Sequence, residues 1–211
     1  MHRIVVLFWV RLIIDERPSK PEEVPMRTFP ELFPDVIATL DPLLSALPDK
    51  NRPFWLVDLP RQRMLIFLRG ECSEIQPVST SRFGLGNTPD SGQTPLGWHE
   101  VTEVIGRGGP LGQAFVSRKT VGVPLATWTG GEGDAILTRV LPLRGLVPEM
   151  NGNSLNRHIY IHGTHQEERL GSPASHGCIR MANAALARLA DAVADHPPFV
   201  WVGASPGFRS I

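Results

Sequence analysis

Between Ile161 and Met181 the chain reads IHGTHQEERLGSPASHGCIRM, which brings one of its two cysteines close in sequence to histidines that can serve it. A cysteine at its ordinary pKa is only about a few per cent thiolate at neutral pH, so Cys178 can act as a nucleophile only with a base in hydrogen-bond reach. His162 and His176 are the candidates. His176 stands two residues before the cysteine; the two point the same way in an extended segment but diverge in a tight turn. His162 lies 16 residues upstream, far enough to return on a neighbouring strand, and is the favoured base. The run RHIYIH alternates, with His158, Tyr160 and His162 on one face of an expected strand and Ile159 and Ile161 on the other. His162 closes that strand where Gly163 lets the chain turn away. Gly177 lacks a Cβ, which permits unusual dihedrals and close approach of a substrate to the backbone. Both suit an oxyanion hole, where one backbone donor lowers the barrier by about 3 kcal/mol.

SHGCIRM preceded by IHGT resembles the signature of the L,D-transpeptidase catalytic domain of the YkuD type. The likeness continues upstream in VSTSRFGLGNTPDSGQTPLGWHEV and in WLVDLPRQRMLIFLRG, and covers roughly residues 53 to 203. It implies that Cys178 is the nucleophile, His162 its base, and Gly163 the residue whose backbone carbonyl orients that base. It places Ser175, His176 and Gly177 around the oxyanion and substrate pocket, and Arg180 and Tyr160 at the substrate, Arg180 near its carboxylates. The implied fold is mostly β, a sandwich or barrel with one helix after the cysteine and a short helical N-terminal extension. The implied substrates are peptidoglycan stem peptides or muropeptides, and no cofactor or metal is called for. The thiolate attacks the third stem residue, expels D-alanine and leaves a thioester. An amine acceptor then makes this a transpeptidase; water makes it an L,D-carboxypeptidase.

Each residue also has a plainer use. A lone cysteine is more often a small core side chain than a nucleophile, and it is the HGC context with IHG upstream that favours catalysis. Cys72 reads as a buried strand residue. A bridge between it and Cys178 would silence the nucleophile, so thiols are expected at both. Arg180 has the alternative of an ordinary surface arginine. Histidines 158, 162, 165 and 176 with Cys178 supply enough ligands for zinc, but no Cys-x-x-Cys or His-Glu-x-x-His module accompanies them. A non-catalytic module that only binds peptidoglycan is a further alternative, and an intact Cys and His pair argues against it.

The 211 residues suffice for one domain with an appendage, divided here as an extension over residues 1–50 and a catalytic domain over residues 51–211. Twenty glycines and twenty prolines suit a turn-rich β architecture. A formal charge of zero, with 21 basic and 21 acidic residues, gives no case for nucleic acid. The runs PFWLVDL, RMLIFLR and IQPVSTS read as strands, the first two a hairpin. Gly84 to Gly97 reads as a loop forming a wall of the substrate groove. Residues 101 to 140 yield two or three weak strands, and GRGGPLGQ within them reads as a turn lining the cleft, because no G-K-[ST] follows it. After Cys178 the pattern turns helical: Asn183 is an expected cap, and Leu186, Leu189, Ala190 and Val193 form an apolar stripe. PFVWVG supplies a last strand.

The N-terminus carries an apolar run, Ile4 to Val10, too short to span a bilayer. It matches a secretory h-region in length, but Arg11 interrupts it and no small-x-small site precedes Asp15 and Glu16. Five prolines between Arg17 and Pro34 indicate a linker, and Val36, Leu40, Leu43, Leu44 and Leu47 a short helix broken by Pro42. By resemblance, export implies work in the periplasm or wall, and the lack of a signal implies cytoplasmic trimming of recycled muropeptides.

Overall fold

Two apolar runs interrupted by Leu59–Arg61 open the fold. Strands β1 (Phe54–Asp58) and β2 (Arg63–Leu68) form the expected antiparallel hairpin, turned by a single 3-10 turn that contains Pro60 and ends on Gln62 at φ 45°. The computed structural model describes residues 52–68, 71–116, 118–121 and 135–203, without the side chains of residues 71 and 72. The expected N-terminal run, linker and broken helix lie outside the described residues, as does the Cys72 side chain.

The remaining strands are β3 (Glu71–Ser79), β4 (Gly97–Val101), β5 (Ala114–Val116), β6 (Lys119–Thr120), β7 (Ile136–Gly145), β8 (Tyr160–Gly163), β9 (Ile179–Met181) and β10 (Phe199–Gly203). Hydrogen bonding runs in the order β4-β10-β1-β2-β3-β9-β8-β7, and β7 returns to β4 through the pairs His99–Gly145, Glu100–Arg144 and Val101–Leu143. Eight strands therefore close on themselves, which removes the open sheet edges an antiparallel sheet would otherwise expose. The β5–β6 hairpin extends from β7 outside this ring.

The barrel interior is filled by alternate residues of these strands, among them Trp55, Val57, Met64, Ile66, Leu141, Leu143, Ile161 and Ile179. Each buried side chain of this size contributes about 1.5–3 kcal/mol. A one-turn helix α1 (Pro148–Asn151), not evident in the sequence pattern, precedes β8, and helix α2 (Asn183–Ala192) follows β9. Leu186, Leu189, Ala190 and Val193 bury the expected stripe in the same core. Asn183 is not the cap: Ala182 holds that position, and the Asn183 N–H is received by Glu167 Oε1 at 2.7 Å. Among the described residues no helix is long and apolar enough to cross a membrane.

His99 in β4 is fully buried, with Nδ1–H donated to the Gly97 carbonyl at 3.0 Å and Nε2 3.2 Å from Ser154 Oγ. Burial lowers its pKa from 6.5 to about 4, against the raising effect of the Gly97 bond. Between those values the unfolded chain binds the extra proton, so stability should be lost as pH falls through that window, by roughly 3 kcal/mol. Urea denaturation at about pH 7 and about pH 4.5 measures this, and His99→Gln should flatten the difference.

Candidate active site

Strands β8 and β9 run parallel, with Ile161 opposite Ile179, His162 opposite Arg180 and Gly163 opposite Met181. Because side chains alternate along a strand, Ile161, Ile179 and Met181 enter the barrel core. Tyr160, His162, Arg180 and the adjoining Cys178 share the other face. There Cys178 packs against a cluster of Phe115, Val140 and Tyr160. The thiol and the imidazole singled out by the sequence therefore lie on one side of neighbouring strands.

His162 is 1% exposed, and its Nδ1 lies 2.8 Å from the Gly163 carbonyl. A carbonyl only accepts, so Nδ1 carries the proton in this contact and Nε2 the lone pair. Gly163 is required for close approach: a Cβ there would lie 2.2 Å from Asn183 Oδ1 and 2.8 Å from the Leu137 carbonyl. Its φ is not left-handed, so it ends β8 without the turn-specific conformation expected of it. Opposite the base, β7 carries a bulge between Leu137 and Val140, with Thr138 at φ 70°. Bulges re-aim side chains beside active sites. Thr138 Oγ1 donates to Asn183 Oδ1 at 2.5 Å and accepts the Gly112 N–H, and Asn183 Nδ2 donates to the Thr164 carbonyl.

The cysteine turn is held from both sides. Ser175, fully buried, donates Oγ–H to the Cys178 carbonyl at 2.6 Å and accepts the Gly177 N–H at 3.2 Å. Thr94 Oγ1 donates to the Gly177 carbonyl at 2.9 Å, and Ser81 Oγ to the Gly92 carbonyl at 2.5 Å. Gly177 sits at φ 126°, where a Cβ would also press on Ile159 Cδ1 at 3.2 Å. Its expected conformational freedom is thus used, and its N–H is directed to Ser175. Cys178 is partly exposed, in no disulfide, and its S–H donates to the His158 carbonyl at 3.4 Å.

The other expected site residues are placed differently. His176 is exposed beside the Phe83 ring, and its Nε2 accepts from Arg82 at 2.7 Å. Tyr160 is buried, with its hydroxyl 2.9 Å from His158 Nδ1. Burial raises its phenol pKa, opposed by the positive charge of Arg118 and assisted by Cys178. Arg180 is not the ordinary surface arginine of the plainer alternative: it is buried, at 2% exposure, and donates to Gln166 Oε1 at 3.1 Å. His158 is corrected, since β8 begins only at Tyr160 and His158 occupies a turn at φ 57°.

A cleft of about 700 Å³ opens beside the turn that leads into Cys178, lined by Asp90, Asn153, Arg157, His158, Ile159 and His176 among others. The expected groove wall from Gly84 to Gly97 thus includes Asp90. Arg157 was not legible as a site residue. It donates to the Gly86 carbonyl, to Asn87 Oδ1 and to the Gln93 carbonyl at 3.1, 3.1 and 2.7 Å, clamping that loop over the cysteine turn. Burial lowers its pKa, opposed by Asp90 and Cys178. Thr94, the buried hydroxyl that anchors Gly177, was hidden inside a stretch read only for its Pro and Gly. The turn GRGGPLGQ is a turn, but it is bound to α2 through Gly108 N–H to Asp191 and to the turn after α2 through Arg107 to Asp195. Among the described residues no three His, Cys, Asp or Glu side chains are grouped to hold a metal ion.

Residues 52–202 match the sequence model of the L,D-transpeptidase catalytic domain, YkuD. No curated protein matches the chain. Among solved structures, an L,D-transpeptidase from Xylanimonas cellulosilytica is 19% identical, with 78% of this chain and 69% of that one covered and a TM-score of 0.46. An L,D-transpeptidase from Mycobacterium smegmatis is 18% identical, with coverages of 72% and 59% and a TM-score of 0.43. L,D-transpeptidase 3 from Mycobacterium tuberculosis, solved with a faropenem-derived adduct, is 17% identical, with coverages of 72% and 60% and a TM-score of 0.45. The chain spans about three fifths of the length of these mycobacterial proteins.

Proposed function

Because the chain belongs to the L,D-transpeptidase catalytic domain family, we propose that it is a cysteine acyltransferase acting on the tetrapeptide stems of peptidoglycan, with Cys178 as nucleophile and His162 as base. The observation that carries this reading is the shared face of β8 and β9, on which a reduced thiol neighbours an imidazole whose Nδ1–H is fixed on the Gly163 carbonyl. That bond leaves Nε2 as the basic nitrogen, the protonation state a thiol needs.

The Sγ proton passes to His162 Nε2, and the thiolate attacks the carbonyl carbon after the third stem residue. The C–N bond to D-alanine breaks, the departing nitrogen takes the proton back from Nε2, and a thioester remains. An amine or a water then attacks that thioester and restores the thiol. Ser175 and Thr94 contribute by fixing the cysteine turn, which keeps the sulfur in a near-attack position without further ordering. Arg180, from its buried place across from His162, braces the strand pair through Gln166 and acts by positioning.

Transfer to an amine is the first reading, and hydrolysis in muropeptide trimming the second. Incubation of the protein with a purified tetrapeptide stem should release D-alanine, and a carbapenem should add its mass to Cys178. Intact-protein mass spectrometry that finds only unmodified thiol after both treatments would overturn the proposal.

A further inference from the structure

His158 combines three properties that the chemistry above leaves unused. Its backbone is left-handed at φ 57°, an uncommon state for a residue with a side chain, in the turn just before β8. Its carbonyl accepts the Cys178 S–H at 3.4 Å, so the residue is in direct contact with the nucleophile. Its ring is exposed in the 700 Å³ cleft with one bond, Nδ1 to the Tyr160 hydroxyl at 2.9 Å, so that Nε2 has no protein partner among the described residues. Asp90 lines the same cleft, within electrostatic reach of Arg157, its carboxylate in no hydrogen bond or close ion pair among the described residues.

We infer that His158 is a second acid–base residue, which takes the proton from a primary amine entering the cleft to attack the Cys178 thioester. The inference rests on the acyl-enzyme reading given above and extends it to the second half-reaction. A primary amine on a peptide arrives as an ammonium ion and cannot attack until it loses a proton. The Asp90 carboxylate attracts that ammonium, and His158 Nε2 accepts its proton. The neutral nitrogen then forms a bond to the thioester carbon, its second proton passes to the free His162 Nε2, and as the C–S bond breaks His162 hands that proton to the departing thiolate. His158 returns its own proton to water. Water needs no such ammonium site, so the arrangement favours an amine acceptor. Beyond Asp90, the titratable and charged groups around the imidazole are Tyr160 in β8, Arg118 in the β5–β6 turn, Arg157 beside it, Cys178, and His176 across the cleft.

His158→Asn is the test variant, since Asn tolerates the left-handed backbone and keeps an amide toward Tyr160 but takes up no proton. Labelling of Cys178 by a carbapenem should slow by less than about threefold, while cross-linked dimer formation from tetrapeptide plus a primary-amine acceptor falls about 100-fold, the scale of lost general-base catalysis. Hydrolysis to tripeptide should persist, shifting the product ratio. His158→Gly, which suits the same φ, should regain dimer formation on adding imidazole. An unchanged dimer-to-tripeptide ratio, or acylation falling in step with transfer, would overturn the assignment. Wild-type protein that never acylates at Cys178 would overturn the underlying reading as well, and that failure is visible before any variant is made.

Discussion

Cys178→Ala should abolish both D-alanine release and covalent capture of a carbapenem, while leaving the barrel folded. The thiol is the nucleophile of the proposed reaction, and alanine removes it without adding volume. The structural cost is small: the side chain is only partly buried, and its hydrogen bonds are weak sulfur contacts, one of them 3.4 Å to the His158 carbonyl. Thermal unfolding should shift by no more than about 1 kcal/mol, because the cavity left by one sulfur is minor. Steady-state D-alanine release that survives in a variant with unaltered melting would remove the cysteine from the mechanism.

His162→Gln should lower the rate of thioester formation by about 10³, within the range for loss of a positioned base. Glutamine retains a donor for the Gly163 carbonyl and a similar reach, but no group that gains and gives back a proton. The residual reaction should then accelerate with rising pH, because ionisation of Cys178 falls to bulk hydroxide. Stopped-flow acylation followed across pH distinguishes this from a folding defect, which would lower the amplitude and leave the shape of the profile intact. A His162→Gln protein acylating at the wild-type rate would shift the base to another residue, and His176 is poorly suited, with its Nε2 already accepting from Arg82.

Local chemistry was enough to single out the proposed pair, because a thiol and a distant imidazole, each beside glycine, need little context to suggest a nucleophile. The β1–β2 hairpin and the α2 stripe were readable for a similar reason: both follow short-range periodicity. Failures occurred where periodicity continued past the element that produced it. RHIYIH alternates through His158, yet the backbone there turns left-handed before β8 begins. The burial of Arg180 was not legible in its type, since an arginine is rarely fully buried and this one is. Asn183 has the composition of a cap but spends its amide on Thr138 and Thr164, a demand set by the β7 bulge across the sheet. The barrel's closure depends on β4 meeting β7 and β1 meeting β10, pairings between segments too distant for any local pattern to announce.

Strand β10 bonds to β1 in parallel on one side and to β4 on the other, so the ring is completed by the last described strand of the chain. Contacts of such long sequence separation form late, because the loop between them must be ordered first. During synthesis, a ribosome that has already released Cys178 still holds back Phe199–Gly203, and the emerging polypeptide lacks both seams those residues supply. The closed barrel that carries Cys178 and His162 is therefore completed only once Phe199–Gly203 are free to pair with β1 and β4.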